Sequence, residues 1–178
     1  LKVSSQPHEG SEFYFTIILP LSAEAEQSSN ADEYLNNNVL AGVNILLAED
    51  NDLNADIAVQ LLEIQGAEVH RCVNGKQALD EFSGSEPNTY QLILMDIQMP
   101  VLDGYAATAA IRASHSPESQ AIPIIAMTAH AMNGDREKSL SVGMQDYIAK
   151  PIEPSVLLST LARWIHLSLI HISEPTRL

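Results

Sequence analysis

A carboxylate follows a short, uninterrupted run of apolar residues near the middle of the chain. The residues of Leu92–Met95 are all apolar, and Asp96 comes directly after them. An unbroken apolar run of this length is typical of a strand buried on both faces of a parallel sheet. Pro100 cannot extend that strand, and Asp103 with Gly104 favours a turn into a helix. Asp96 is therefore predicted at the carboxyl end of a central strand, the edge where open parallel sheets bind ligands.

Other polar side chains stand at the ends of other apolar runs. Glu49 and Asp50 follow the first predicted strand, Thr128 ends the fourth, and Lys150 follows the fifth. Because the carboxyl ends of parallel strands meet at one edge, we expect these side chains beside Asp96. Three carboxylates in one place repel one another and favour a bound cation, and their oxygen ligands suit Mg²⁺. A carboxylate nucleophile beside a metal ion, a hydroxyl and an ammonium predicts phosphoryl transfer onto Asp96.

Each of these residues also has a simpler interpretation when it is taken alone. Asp96 can be a solvated loop residue, Glu49 and Asp50 loop charges or a helix cap, Thr128 a cap, and Lys150 a surface charge. Their coincidence at four strand ends of one predicted sheet favours the functional interpretation.

The elements that must position these residues follow from the apolar pattern between residues 43 and 165. The predicted strands are 43–48, 69–73, 92–96, 124–128 and 147–149, and the predicted helices are 51–65, 76–82, 104–113, 135–142 and 154–165. Strands that alternate with helices predict an α/β fold with a doubly wound parallel sheet and right-handed crossovers. In the first helix, Leu53, Ile57, Leu61 and Ile64 recur at helical spacing, and we expect them to form its buried stripe.

Composition excludes several classes of protein. A chain of 178 residues has room for one domain, or for one domain with fragments of others. Its formal net charge of -14 argues against nucleic acid or an anionic membrane surface as a direct partner. There is no apolar run of ~20 residues that would cross a membrane. The single cysteine, Cys72, excludes an internal disulfide and is predicted to be a buried strand thiol in a reducing compartment.

Five short segments carry motifs that are typical of one family when they occur together. They are Leu46–Asn51, Met95–Pro100, Asp103–Gly104, Ala126–Ala129 and Asp146–Pro151. With these motifs, residues 43–166 resemble a response-regulator receiver domain. The resemblance implies a flavodoxin-like fold with strand order 2-1-3-4-5, an order for which a receiver protein is a standard example.

The resemblance also implies a role for each acidic residue. Asp96 would be the phosphoacceptor. Glu49, Asp50 and the backbone carbonyl of Gln98 would serve the Mg²⁺ site, with Asp50 and Asp96 as direct carboxylate ligands. Gln98 additionally argues against a phosphatase of the haloacid-dehalogenase type, because that class needs a second Asp at this position as its general acid.

The remaining motif residues would act on the phosphoryl group and respond to it. Thr128 and Lys150 would contact the phosphoryl oxygens. Tyr147 would turn inward when Thr128 moves toward them, so Thr128 and Tyr147 form a predicted switch. Members of the family usually carry a cis peptide bond after this lysine, so we expect one at Lys150–Pro151.

The flanking segments predict a larger parent protein. Residues 1–20 resemble the last strands of a histidine-kinase ATPase domain, with an arbitrary edge hairpin as the alternative, and residues 21–42 have the composition of an acidic, flexible linker. Residues 167–178 resemble a translated sequencing adapter, and we therefore exclude them from functional interpretation. An ATPase-like end, a linker and a receiver follow one another in hybrid sensor histidine kinases.

This order predicts the function of the chain. The receiver would accept a phosphoryl group from a histidine of the kinase core in its own protein and pass it to a histidine phosphotransfer domain. We find no ATP-binding asparagine box or dimerisation histidine in the chain, so its own enzymatic status stays open although its parent would be a kinase. We expect the receiver in the cytoplasm. An N-terminal sensor of the parent protein can anchor that protein in the inner membrane. The alternatives are a stand-alone response regulator and a pseudo-receiver that binds partners without phosphorylation.

Overall fold

The chain divides into two compact units, residues 1–30 and 31–178. The computed structural model describes residues 2–6, 10–14, 38–129 and 133–172, with side chains over 38–129 and 137–165. In the first unit, β1 (Lys2–Gln6) and β2 (Gly10–Tyr14) form an antiparallel hairpin. The rest of the predicted kinase-like strand, nearly all of the predicted linker and residues 173–178 lie outside the described residues. The domain assignments of these segments therefore stay predictions.

The second unit contains a five-stranded sheet in which all strands run parallel. Its strands are β3 (Asn44–Ala48), β4 (Glu68–Cys72), β5 (Leu92–Asp96), β6 (Ile124–Thr128) and β7 (Asp146–Ala149). They lie side by side in the order β4-β3-β5-β6-β7. Counted from β3, this is 2-1-3-4-5, so the predicted flavodoxin-like receiver fold is confirmed.

Helices cover both faces of this sheet. They are α1 (Asp52–Ile64), α2 (Gly75–Gly84), α3 (Gly104–Ala113), α4 (Asn133–Ser141) and α5 (Pro154–Ile172). One core cluster joins α1 and α5 to alternate strand residues such as Ile45, and the other joins α2 and α3 to their neighbours such as Leu46. This alternation follows from the period of two along a strand, and it is the doubly wound arrangement that was predicted. Among the described residues, no helix is long and apolar enough to cross a membrane.

The predicted buried stripe of α1 is wrong at three of its four positions, whereas the fourth, Leu61, is partly buried and packs against the core. Leu53 is 69% exposed, Ile57 44% and Ile64 69%, and the helix instead buries Ala55, Ala58 and Leu62. Helix α1 carries apolar residues on two faces, and periodicity alone does not decide which one turns inward. The alanines allow the helix to lie close to the sheet, so the larger side chains remain toward solvent.

The predicted boundaries agree with the structure within about two residues for most elements, with one exception. Helix α5 continues to Ile172, beyond the predicted end at residue 165. Its last residues belong to the tail that resembles a translated adapter, and that interpretation of the tail stays a prediction.

Cys72 is buried at the end of β4, as expected, with 3% of its surface exposed. Burial, together with the nearby Glu81 carboxylate, raises the pKa of the thiol to about 11. The thiolate is the reactive form of cysteine, and it is therefore scarce at neutral pH. The side chain serves packing rather than chemistry.

Candidate functional site at the carboxyl edge of the sheet

Asp96 ends β5, the central strand, and is 5% exposed. The first turn of α3 lies directly against its backbone, where the Gly104 N–H donates to the Ile97 carbonyl at 3.0 Å. A Cβ on Gly104 would lie 2.2 Å from the Asp96 carbonyl oxygen, so only glycine permits this approach. Strand β5 and helix α3 together hold the carboxylate at the sheet edge.

The structure brings the predicted residues of two other strand ends, those of β3 and β7, to Asp96. The Lys150 ammonium lies 2.7 Å from Asp96 Oδ2 and 2.5 Å from Glu49 Oε2. Carboxylate oxygens of Glu49, Asp50 and Asp96 all lie within 4.8 Å of one another. Glu49 is 1% exposed, whereas Asp50 faces solvent. Residues that are far apart along the chain thus form one acidic cluster bridged by one lysine.

The charges of this cluster act on one another. Burial raises the pKa of Asp96 above its ordinary value, and the Glu49 carboxylate adds to this, although Lys150 opposes both. Burial alone would lower the pKa of Lys150, but its hydrogen bonds and attraction to Asp96 and Glu49 outweigh burial and raise it. Lys150 is therefore firmly protonated at neutral pH.

Thr128, Gln98 and Tyr147 are the remaining predicted site residues. Thr128 ends β6, is 6% exposed, and lines the same cleft as Gln98. The Gln98 backbone N–H donates to Asp96 Oδ1 at 3.2 Å. Tyr147 pairs with Ala126 in the β6–β7 register and packs against the core cluster of α2 and α3. These placements fit the predicted phosphoryl-contact and switch residues, and their roles remain predictions.

The peptide bond after Lys150 also agrees with the prediction. The Lys150–Pro151 peptide bond is cis. The Lys150 backbone N–H donates to the Thr128 carbonyl at 2.7 Å, which joins the end of β7 to the end of β6.

Two residues that support the cluster were missed by sequence reasoning. Asn54 on α1 donates its side-chain amide to Glu49 Oε1 at 3.2 Å. Arg71 on β4 donates to the Glu49 backbone carbonyl at 3.3 Å and to Asp52 at 2.7 Å. The position of Asn54 in the first turn of a helix that starts beside the acidic pair was the available signal. Arg71 gave none, because its partner is 22 residues away along the chain, at the end of the neighbouring strand.

The donor set suits a hard divalent cation. Three carboxylates face one ammonium, so negative groups outnumber positive ones at this edge. Oxygen-only ligands with one side open to water are the environment in which Mg²⁺ is held in proteins. The residues present therefore fit Mg²⁺.

Residues 45–162 match the family model described as the response regulator receiver domain. The chain belongs to this family. A receiver domain is thus the identity of the second unit, and the resemblance drawn from the five motifs is confirmed.

Relatives of this receiver occur in hybrid histidine kinases. Hybrid signal transduction histidine kinase I of Dictyostelium discoideum is 47% identical over 119 residues, which are 66% of this chain and 7% of that protein. The chain thus spans only a small part of that relative.

Two solved structures are also informative. The receiver domain of sensor histidine kinase PA1611 from Pseudomonas aeruginosa PAO1, with a magnesium ion coordinated in its active-site cleft, is 44% identical with a TM-score of 0.64, over 71% of this chain and 99% of that one. The Saccharomyces cerevisiae complex of the histidine phosphotransfer signaling protein Ypd1 with the receiver domain of Ssk1 matches at 28% identity and a TM-score of 0.63, over 70% of this chain and 90% of that one.

Proposed function

We propose that this receiver takes a phosphoryl group from a phosphohistidine onto Asp96 and passes it to a histidine phosphotransfer domain, as one step of a phosphorelay. The observation that carries the proposal is the Asp96 carboxylate, which lies at a strand end within 2.7 Å of the Lys150 ammonium and in reach of two further carboxylates. That arrangement supports a role for Asp96 as the nucleophile and for Lys150 in neutralising phosphoryl oxygens.

The transfer itself is a displacement at phosphorus. An Asp96 oxygen forms a bond to phosphorus while the bond from phosphorus to the imidazole nitrogen breaks, and the released imidazole takes up a proton. Lys150 and Thr128 contact the phosphoryl oxygens. The backbone N–H of Gln98 keeps the carboxylate oriented through its bond to Oδ1. The protein's contribution is positioning and charge, as in other phosphoryl transfers.

Mg²⁺ would be held by Glu49, Asp50, Asp96 and the backbone carbonyl of Gln98, with Asp50 and Asp96 as direct ligands. The spacing of the three carboxylates supports this assignment. The magnesium ion in the related Pseudomonas receiver supports it independently. When bound, the ion would neutralise charge that develops on the transferring phosphoryl group.

The partners are proteins that present a histidine: the kinase core of the parent protein and a histidine phosphotransfer domain. The yeast neighbour, a receiver domain in complex with a phosphotransfer protein, supports this class of partner. The exposed apolar residues Leu53 and Ile57 support it as well, because they lie on the first turns of α1, shortly after Asp50. A protein that brings a histidine to Asp96 would cover this surface.

The response to phosphorylation would pass through Thr128 and Tyr147. Thr128 would move to donate to the new phosphoryl oxygens, and Tyr147 would turn into the space that it leaves. Their places on adjacent strands, two residues apart in the β6–β7 register, support this coupling.

The test loads the full chain from two donors, acetyl phosphate and a phosphorylated histidine phosphotransfer domain of a related hybrid kinase. We expect one Mg²⁺-dependent phosphoryl adduct by intact mass with either donor, and none with Asp96→Asn. Leu53→Asp should slow loading from the protein donor about 10-fold or more, since it buries a charge in the interface, and should leave loading from acetyl phosphate unchanged.

Two results would contradict the proposal. A folded wild-type protein that takes no phosphoryl group from either donor would favour the pseudo-receiver. Equal slowing of both donors by Leu53→Asp would remove the exposed face of α1 from the partner surface and indicate a damaged site instead.

A further inference from the structure

The side chain of Asn54 reaches out of its own helix to the acidic cluster. Its amide donates to Glu49 Oε1 at 3.2 Å, and the backbone N–H of Asn51 donates to the same oxygen at 3.3 Å. The other oxygen, Oε2, accepts from Lys150. A carboxylate that is 1% exposed needs such donors, because burial without them is costly. Three groups thus bind the Glu49 carboxylate: the Asn54 amide, the Asn51 backbone N–H and the Lys150 ammonium.

Asn54 is also tied to the start of α1 through its backbone. Its N–H donates to Oδ1 of Asn51, the residue that caps the helix, at 3.0 Å. Glu49, Asn51 and Asn54 thus form a closed ring of hydrogen bonds. Asp50 lies inside this ring along the chain, with its own side chain exposed and close to the other two carboxylates. The ring clamps the backbone on both sides of Asp50.

Helix α2 shows what an ordinary cap of this type looks like. Asn74 caps α2 by accepting from the Gln77 N–H at 2.9 Å, just as Asn51 accepts from Asn54. Gln77 stands at the same third helical position as Asn54, but its side-chain oxygen accepts from the Val73 backbone N–H at 3.2 Å. That arrangement resembles a capping box, although its second donor is the N–H of Val73, the residue before the cap, and it involves only the start of the helix. Asn54 instead turns a donor toward a carboxylate outside the helix, so its function extends beyond capping.

We propose that Asn54 is a positioning residue of the acidic site: its amide fixes the Glu49 carboxylate and, through the ring with Asn51, the backbone that presents Asp50. This inference rests on the proposed function, in which these carboxylates serve a Mg²⁺ site. Groups that orient metal ligands through hydrogen bonds typically contribute 10- to 100-fold to metal affinity. Without the amide, Glu49 Oε1 keeps the longer bond to the Asn51 backbone and is held less firmly.

The test measures Mg²⁺ affinity directly, by isothermal titration calorimetry on the full chain without a phosphoryl donor. The variants are Asn54→Ala and Asn54→Leu, which remove the donor and keep the backbone N–H that caps the helix. Alanine and leucine both favour the helix more than asparagine, and leucine is also similar to asparagine in size, so the Leu variant separates loss of the donor from loss of side-chain volume. We expect both variants to bind Mg²⁺ about 10-fold more weakly than the wild type.

The matched control is Gln77→Ala, which breaks the corresponding side-chain contact of α2. It should reduce the free energy of unfolding about as much as Asn54→Ala and leave Mg²⁺ affinity unchanged. If both Asn54 variants fold and bind Mg²⁺ within 2-fold of the wild type, Asn54 is only part of a helix cap and the inference is overturned. If the wild type itself binds no Mg²⁺, the metal assignment of the proposed function fails and the inference falls with it.

Discussion

Two partly buried cations lie at opposite edges of the same sheet and have different partners. At the carboxyl edge, Lys150 bridges the carboxylates of Glu49 and Asp96. At the edge where β6 and β7 begin, Arg112 of α3 donates to the carbonyl oxygens of Ser119, Ile122 and Gly143 and of the Gln145 side chain, at 2.5–3.0 Å.

The pKa values of the two cations show what these partners do. The attraction of two carboxylates raises the pKa of Lys150 in spite of burial. Burial lowers the pKa of Arg112 to about 10, since neutral carbonyl groups offset desolvation less well than a carboxylate. Arg112 therefore connects α3 to two loops, and its neutral partners do not cancel its positive charge. Lys150 stands among more carboxylates than it neutralises. The excess negative charge favours the binding of a further cation at the carboxyl edge.

The largest effect is expected at the amino edge. Arg112→Met removes four hydrogen bonds, so the free energy of unfolding should fall by about 4 kcal/mol, at about 1 kcal/mol for each bond. Urea denaturation measures this. The control Arg163→Met, whose side chain is 59% exposed beside Asp146, should cost less than about 1 kcal/mol. Equal losses in the two variants would break the comparison, because Arg112 would then act as a surface charge.

A smaller loss is expected when the bridging lysine is removed. Lys150→Met leaves Glu49 and Asp96 adjacent without their cation, and should lower the free energy of unfolding by about 2 kcal/mol in the presence of EDTA. This is below the 3–5 kcal/mol typical of a broken buried pair, since the site is open to water on one side. A loss below about 0.5 kcal/mol would show that solvent already screens the two carboxylates from each other.

The smallest expected effect is a gain in the free energy of unfolding, not a loss. The raised pKa of Asp96 means that the folded state favours its protonated form, so its stabilising contribution is present below the ordinary pKa of about 3.9 and is lost as the pH rises through the raised value. Asp96→Asn mimics the neutral form and should be about 1 kcal/mol more stable than the wild type at pH 8 without metal.

The difference in stability between Asp96→Asn and the wild type should fall toward zero near pH 4. Urea denaturation from pH 4 to pH 8 would measure it. A destabilised Asp96→Asn protein at pH 8 would mean that the attraction to Lys150 outweighs the burial of the charge. The carboxyl edge would then resemble the amino edge, where each removal costs stability.

Much of the acidic site was predictable because it depends on strand ends. Short apolar runs located β3, β5 and β6, and parallel order then required Glu49, Asp96 and Thr128 to share an edge. The choice between the two apolar faces of α1 was not predictable. Leu53 and Ala55 are both compatible with a helical stripe, and contact with the sheet alone decides which is buried.

The supporting hydrogen bonds could not be predicted from the sequence either. Arg112 donates to Gly143 and Gln145, which are more than thirty residues away, and Arg71 on β4 donates to Glu49, which is 22 residues away at the end of the neighbouring strand β3. No local sequence pattern indicates which distant residues these two arginines contact. Asn54 is an intermediate case, since its place in the first turn of α1 was predictable and the direction of its amide was not.

The sequence by itself determined the order of strands and helices, their approximate ends and the residue types that would meet at the carboxyl edge. These features depend on local propensity and on the short-range periodicity of apolar residues. The tertiary structure decided which face of α1 lies against the sheet, where the amide of Asn54 points, and which partners each of the two partly buried cations has. Those features depend on contacts between distant segments, which exist only after the sheet has assembled.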